Sequence, residues 1–111
     1  MINVALFGFG RIGQMHAKNL TKNKEIKLLY VYDTIDQLSG KAKKLYGCKI
    51  QKNYNKIFND KTVDIVFISS PTSTHIKFIE EGMKRKKTIF CEKPLDLNTV
   101  SYTHLTLPTI E

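Results

Sequence analysis

The stretch Gly8-Phe9-Gly10-Arg11-Ile12-Gly13 follows an apolar run, Ile2 to Phe7, and opens a pattern of helical period. Asp33 stands twenty positions past Gly13, at the end of a second apolar run, Ile26 to Tyr32. Strand, tight turn, helix, strand and acid therefore fall in the order a dinucleotide requires. Gly8 permits the turn, Gly10 lets the backbone approach a pyrophosphate, and Gly13 lets the helix pack close to the strand. The pyrophosphate is expected at the helix N-terminus, on unpaired N–H groups and the positive end of the helix dipole.

The rest of the chain continues the alternation. Strands are expected at residues 2–7, 26–32, 48–50, 63–68 and 88–91. Helices are expected at residues 11–22, 35–46 and 53–58, and from an N-cap among Thr72 to Thr74 through Lys86. Ile12, Met15, Ala17 and Leu20 are available to pack the first helix inward. Ile35, Leu38, Ala42 and Leu45 have the spacing to do so in the second, which Gly47 ends. Near-continuous apolar strands alternating with helices predict a doubly wound parallel α/β sheet of Rossmann type, covered on both faces.

At 111 residues the chain holds one domain at most. Its 41% apolar and 25% charged residues are those of an ordinary globular protein, and no apolar run reaches membrane-spanning length. The first strand begins at Ile2, which leaves no room for a secretory signal. Cys48 and Cys91 lie far apart without metal-ligand spacing, so no metal site is expected. Buried free thiols in a reducing cytoplasm are the expectation instead. The net charge of +8 raises the question of nucleic acid. The excess is nearly all lysine, with Arg11 and Arg85 the two arginines, and it is dispersed among abundant Asn and Ile. The densest run, Lys84 to Lys87, falls at a helix C-terminus, where cations complement the dipole. Neither a nucleic-acid nor a membrane partner is expected.

Three motifs in order, GFGRIGQMH (Gly8 to His16), SSPTSTH (Ser69 to His75) and CEKP (Cys91 to Pro94), resemble the glucose–fructose oxidoreductase and inositol dehydrogenase family. The resemblance covers residues 1–99. The SPTSTH and CEKPLDL segments are most similar to members that oxidise myo-inositol to its 2-keto form with NAD. Relatives acting on other polyols and sugars share the motifs, and a non-catalytic NAD-binding module is the alternative from another class.

The resemblance implies an NAD-dependent oxidoreductase acting on a polyol or sugar hydroxyl, a homo-oligomer when complete. It implies that Lys93 is catalytic, orienting a hydroxyl and tuning the acid–base group, and that Lys93 also meets the cofactor. Glu92 pairs with Lys93 or holds the loop, and Pro94 restricts Lys93 to extended backbone. The loop Ser69, Ser70, Pro71 and Thr72 runs along the cofactor's adenosine and pyrophosphate side. His75 is a candidate contact to cofactor or substrate, and His16 is expected to pack rather than act as a base. Phe9, Arg11 and Ile12 complete the cofactor set with Gly8, Gly10, Gly13 and Asp33.

Residues 100–111 do not continue the family pattern. An amphipathic helix is expected after Asn98, but apolar and polar residues alternate and Pro108 interrupts. The segment resembles a translated sequencing-library adapter. The domain is therefore expected at residues 1–99, with a non-native tail at 100–111. By resemblance, the family's Asp and His acid–base pair, in a D-x-x-x-H arrangement, belongs to a second α/β domain downstream, so no turnover is expected of the 111 residues alone.

Overall fold

The structure, a computed structural model, describes residues 1–91. Its order is β1 (Ile2–Phe7), α1 (Arg11–Thr21), β2 (Ile26–Tyr32), α2 (Asp36–Tyr46), β3 (Lys49–Ile50), α3 (Tyr54–Phe58), β4 (Ile65–Ile68), a 3-10 turn (Thr72–Thr74), α4 (His75–Lys84) and β5 (Thr88–Cys91). The strands form one parallel sheet ordered β3-β2-β1-β4-β5. The chain winds outward from β1 in both directions, so the connections leaving β1 and β4 diverge and open a crevice at the carboxyl ends of the strands.

Strand alternation divides the core into two layers. Val4 and Leu6 of β1 point to one face with Ala17 of α1, Ala42 of α2, Phe9 and Phe67. Ala5 and Phe7 point to the other with Ile57 and Phe58 of α3 and Phe78 and Ile79 of α4. Phe7 is the hub of the second layer, with ring centroids 4.7 Å from Phe78, 5.1 Å from Tyr32 and 5.2 Å from Phe58. Burying a ring of this size contributes about 1.5–3 kcal/mol. The β1–β2 register shifts between Val4 and Ala5. Leu29 and Tyr30 consequently both face the second layer, although they are adjacent in sequence. Cys48 and Cys91 are buried and form no disulfide, and burial pushes the Cys48 thiol up from its ordinary value.

Several expectations are corrected. Ile12 is 40% exposed and Met15 49%, because Gly13 rather than a large side chain seats α1 on the sheet. The face that packs is Gly13, Ala17 and half-buried His16 and Leu20, with the His16 ring 4.6 Å from that of Phe67. Likewise Ile35 is 53% exposed and Leu45 58%, while Ser39 and Ala42 are buried. Small residues face the strand there because the helix runs close to it. Thr74 holds the N-cap position of α4 as expected, but no side-chain capping bond forms there among the described residues. Thr72 to Thr74 form the 3-10 turn, in which the Thr74 N–H and hydroxyl both donate to the Pro71 carbonyl, at 2.8 and 2.7 Å. Gly47 ends α2 as expected, in left-handed backbone, with its N–H donating to Lys43 O at 2.8 Å.

The basic run serves as local ties. Arg85 Nη1 pairs with Glu81 at 2.5 Å and Arg85 Nε donates to Asn59 at 2.7 Å. Lys87 Nζ donates to the carbonyls of Asp60 and Val63, both at 2.7 Å. Asp60 anchors this lower end of the sheet. Its Oδ1 accepts from the Thr62 N–H and hydroxyl, and its Oδ2 from the Tyr30 hydroxyl at 2.7 Å.

Those donors hold the Asp60 carboxyl at about 2, below its ordinary 3.8. A depressed folded-state value stabilises the fold above about pH 4, and the stabilisation is lost as pH falls through about 2. Urea titrations at pH 7, 4 and 2 should show Asp60→Asn less stable than the parent at pH 7, with the gap closing by pH 2. A gap that stays constant with pH would contradict the anchor.

Candidate functional site: the crevice above β1 and β4

The Gly-rich turn begins where β1 ends. The Gly8 N–H donates to Tyr32 O of β2 at 2.8 Å, which continues the β1–β2 ladder one residue past the strand. Gly8 then turns with φ +96°, in the region that favours glycine. A Cβ there would lie 2.5 Å from Ser70 N, inside the backbone of the neighbouring loop. A Cβ on Gly13 would overlap the Gly8 carbonyl. Both glycines are therefore fixed by packing of the protein against itself. Gly10 differs: a Cβ there meets no described atom within 4 Å, and its φ of −70° is open to any residue. Packing gives no reason for glycine at position 10, whereas close approach of a ligand to the backbone does.

Helix α1 starts directly from this turn. Gly10 is its N-cap residue, no side chain caps it among the described residues, and its first turn carries no acid. Gln14 N donates to Gly10 O at 2.9 Å as the first helical bond. The N–H groups before it stay available for an anion at the positive end of the dipole. Gln14 also donates through Nε2 to Phe9 O at 3.1 Å, and Lys41 Nζ donates to its Oε1 at 2.9 Å.

Asp33 ties the turn to the next loop. Its Oδ2 accepts from the Phe9 N–H at 2.7 Å and its Oδ1 from the Ile35 N–H at 2.8 Å. A carboxylate has about four lone-pair sites, so two remain for ribose hydroxyls. From the other side, the Ser69 hydroxyl lies 3.1 Å from Phe7 O and 3.0 Å from Gly8 O, donating to this pair of carbonyls, and Ser69 N donates to Phe7 O at 2.8 Å.

These ties shape a groove of about 440 Å³. Gly8, Gly10, Arg11, Ile12 and Gly13 form one wall, Asp33 one end, and Ser69, Ser70, Pro71, Thr72 and His75 the other wall. Eleven of the expected site residues are thereby brought together. Phe9 is not among them: its ring is fully buried against Ala17, Val31 and Tyr46, and only its backbone serves the turn. Glu92 and Lys93 lie outside the described residues, as does the segment 100–111. Thr34, Ile35 and Leu38 also line the groove and were not expected there. Their signal was positional, since Thr34 and Ile35 directly follow Asp33 and Leu38 lies one helical turn further on. Exposed Ile35 and Ile12 supply apolar contact at the mouth.

His75 is more deeply set than a first-turn residue suggests. It is 2% exposed, its Nε2 lies 3.0 Å from Ser70 O, and its Nδ1 has no partner among the described residues. A carbonyl only accepts, so Nε2 carries the proton and the ring holds the Ser70 peptide in place. Ser70 Oγ and Thr74 Oγ1, 2.6 Å apart, close the same loop. Among the described residues no cluster of His, Cys, Asp and Glu is arranged to hold a metal. No helix of the described residues is long and apolar enough to cross a membrane.

The glycine geometry separates fold from ligand. Gly13→Ala should lower stability by about 1–3 kcal/mol, because the Gly8 carbonyl cannot yield without moving β1. Gly10→Ala should lower stability by no more than about 1 kcal/mol, the cost of alanine at an N-cap, while weakening NAD binding at least roughly tenfold. Thermal denaturation and NAD titration of both variants test this; unaltered NAD affinity in Gly10→Ala would contradict the site.

The chain is 36% identical over 97 residues to an inositol 2-dehydrogenase of Rhizobium meliloti (strain 1021), covering 87% of this chain and 29% of that protein. It is 37% identical over 99 residues to a myo-inositol 2-dehydrogenase of Thermotoga maritima, with the same coverage. The crystal structure of a myo-inositol dehydrogenase from Corynebacterium glutamicum superposes with a TM-score of 0.81 at 33% identity, over 87% of this chain and 29% of that one. The chain thus spans about 29% of the length of these curated relatives. A family model described as an oxidoreductase family with an NAD-binding Rossmann fold matches residues 2–105, running past residue 99. With that match over most of its length and a groove built from the family's Gly-rich turn, the chain belongs to this oxidoreductase family and carries its NAD-binding Rossmann fold.

Proposed function

We propose that this chain is the NAD-binding part of a cytoplasmic dehydrogenase that oxidises a ring hydroxyl of a cyclic polyol, myo-inositol in the first place. The observation that carries the reading is the groove itself. It has uncapped N–H groups at α1, a glycine at position 10 that packing does not require, and a carboxylate at the end where an adenosine ribose falls. The substrate class rests on the two inositol dehydrogenases that the chain resembles across 87% of its length.

NAD, when bound, supplies the hydride acceptor. The chain's own residues bind and orient it. Gly8, Gly10 and Gly13 let the pyrophosphate approach the N-terminus of α1, and Arg11 adds a cation beside it. Asp33 accepts from the ribose hydroxyls with the lone pairs its backbone ties leave free. Ser69, Ser70, Pro71 and Thr72 form the opposite wall, and His75 keeps that wall in place. β5 ends at Cys91, and the carboxyl ends of the strands are where ligands bind in open parallel folds. By the family resemblance, Lys93 of the Glu92-Lys93-Pro94 motif orients the substrate hydroxyl, while an Asp–His pair from the downstream part of the enzyme takes the proton.

Asp33 repels a 2′-phosphate, and Thr34, Ile35 and Asp36 offer no arginine to receive one. The complete enzyme should therefore bind NAD more tightly than NADP; the reverse order in parallel titrations would sink the assignment. In the same enzyme, Lys93→Ala should lower kcat and kcat/KM for myo-inositol together, with little change in NAD affinity. Undiminished turnover would reduce Lys93 to a surface residue.

A further inference from the structure

Beside the main groove lies a second hollow of about 180 Å³. The two share Gly8, Asp33, Thr34, Ser70 and Pro71, so they meet at a seam beside the Asp33 carboxylate. The main groove runs from this seam toward α1. The smaller chamber runs the other way, into the layer covered by α4, and is lined there by Tyr32, Thr74, Lys77 and Phe78. None of these four is part of the site read from the sequence.

The shape of a dinucleotide distinguishes the two hollows. A ribose held by Asp33 carries its phosphate on one side and its base on the other. With the pyrophosphate at the N-terminus of α1, the base leaves the ribose away from that helix, toward the chamber. The lining suits a planar heterocycle. Tyr32 and Phe78 pack edge to face, ring centroids 6.0 Å apart, as an apolar floor, and Pro71, Thr34 and Thr74 complete the lining.

Lys77 is the cation of this lining. Its Nζ sits 4.5 Å from the Tyr54 ring centroid and 5.9 Å from that of Phe78. The rings restrain a side chain that otherwise has four free torsions. The neighbouring Tyr54 hydroxyl pushes the Lys77 ammonium up from its ordinary value, so it is charged at neutral pH. An ammonium only donates, and the edge of adenine carries ring nitrogens that only accept.

We propose that Lys77 is a specificity-determining residue for the adenine end of the dinucleotide, its ammonium donating to a ring nitrogen of a base seated in this chamber. The proposal rests on NAD occupying the main groove.

The test is Lys77→Met in the full-length protein, which keeps the stem over Tyr54 and Phe78 and removes the charge. Dissociation constants are measured for NAD, NADP, ADP-ribose and nicotinamide mononucleotide, with the thermal midpoint of the ligand-free protein. NAD and ADP-ribose should each weaken by roughly three- to tenfold, a charged donor discounted for exposure. NADP should weaken by no more than NAD. Competition by nicotinamide mononucleotide, which lacks the base, and the thermal midpoint should not change. Lys77→Arg should recover most of the NAD affinity. Unaltered NAD affinity in Lys77→Met would place the base on the Ile35 and Leu38 side and overturn the proposal. A larger loss for NADP than for NAD would show that the lysine reads a 2′-phosphate, and a lowered midpoint with all ligands weakened alike would show a packing role. Both outcomes also overturn it. A parent protein that binds no NAD would instead remove the groove reading on which the proposal rests.

Discussion

The contact between Gly8 and Gly13 governs the rest of the structure. A strand, a turn and a helix meet there with backbone against backbone, and Ser69 of the next loop closes over the same point. A Cβ on either glycine collides with main-chain atoms, which have no rotamer to escape into. Because the two backbones touch, α1 begins immediately above the end of β1 and its first N–H groups face the rim of the sheet. The N-terminus is open to an anion because, among the described residues, no side chain caps it and its first turn carries no acid. The same restriction explains why small residues, Gly13 and Ala17, seat the helix while Ile12 and Met15 remain outside.

Three loops converge on this point through charge-assisted and neutral hydrogen bonds. Asp33 holds the turn through Phe9 N and its own loop through Ile35 N, so the residue proposed to hold a ribose also sets the shape of the Gly-rich turn. In the proposed reading, cofactor choice and local rigidity are thereby coupled at one carboxylate. Replacing it leaves the Phe9 and Ile35 backbone donors without that acceptor. On the opposite wall, His75 and Thr74 hold Ser70 and Pro71, so the second loop is ordered before any ligand arrives. A preordered pair of walls lowers the entropy cost of binding a long flexible cofactor.

Much of this was legible in the sequence, for physical reasons that differ by residue. Gly8, Gly13 and Asp33 could be placed because each answers a local demand: a left-handed turn, a close helix, an acid at a strand end. The two-layer core followed from alternation along β1. The burial of Ile12, Met15, Ile35 and Leu45 was misjudged, because helical periodicity reports which residues share a face and not how near that face lies to the sheet. Phe9 was misjudged for a related reason: a motif position next to two functional glycines turns its side chain the other way. The 3-10 turn at Thr72–Thr74 escaped notice because threonines before a helix read equally well as caps.

The sequence by itself determined the order of strands and helices, the Gly-rich turn after β1 and the acid that follows β2. All of these depend on neighbours within a few residues or on one spacing along the chain. Tertiary structure alone decided what stands opposite them. Ser69 reaches Gly8 O across 61 residues of sequence, and it does so because β4 docks beside β1. The burial of His75 and the chamber where Lys77 meets the Asp33 seam arise from that docking, and the shift that turns Leu29 and Tyr30 to one face arises from the pairing of β1 with β2. No local pattern encodes them, because each depends on the distance between elements rather than on the residues within one.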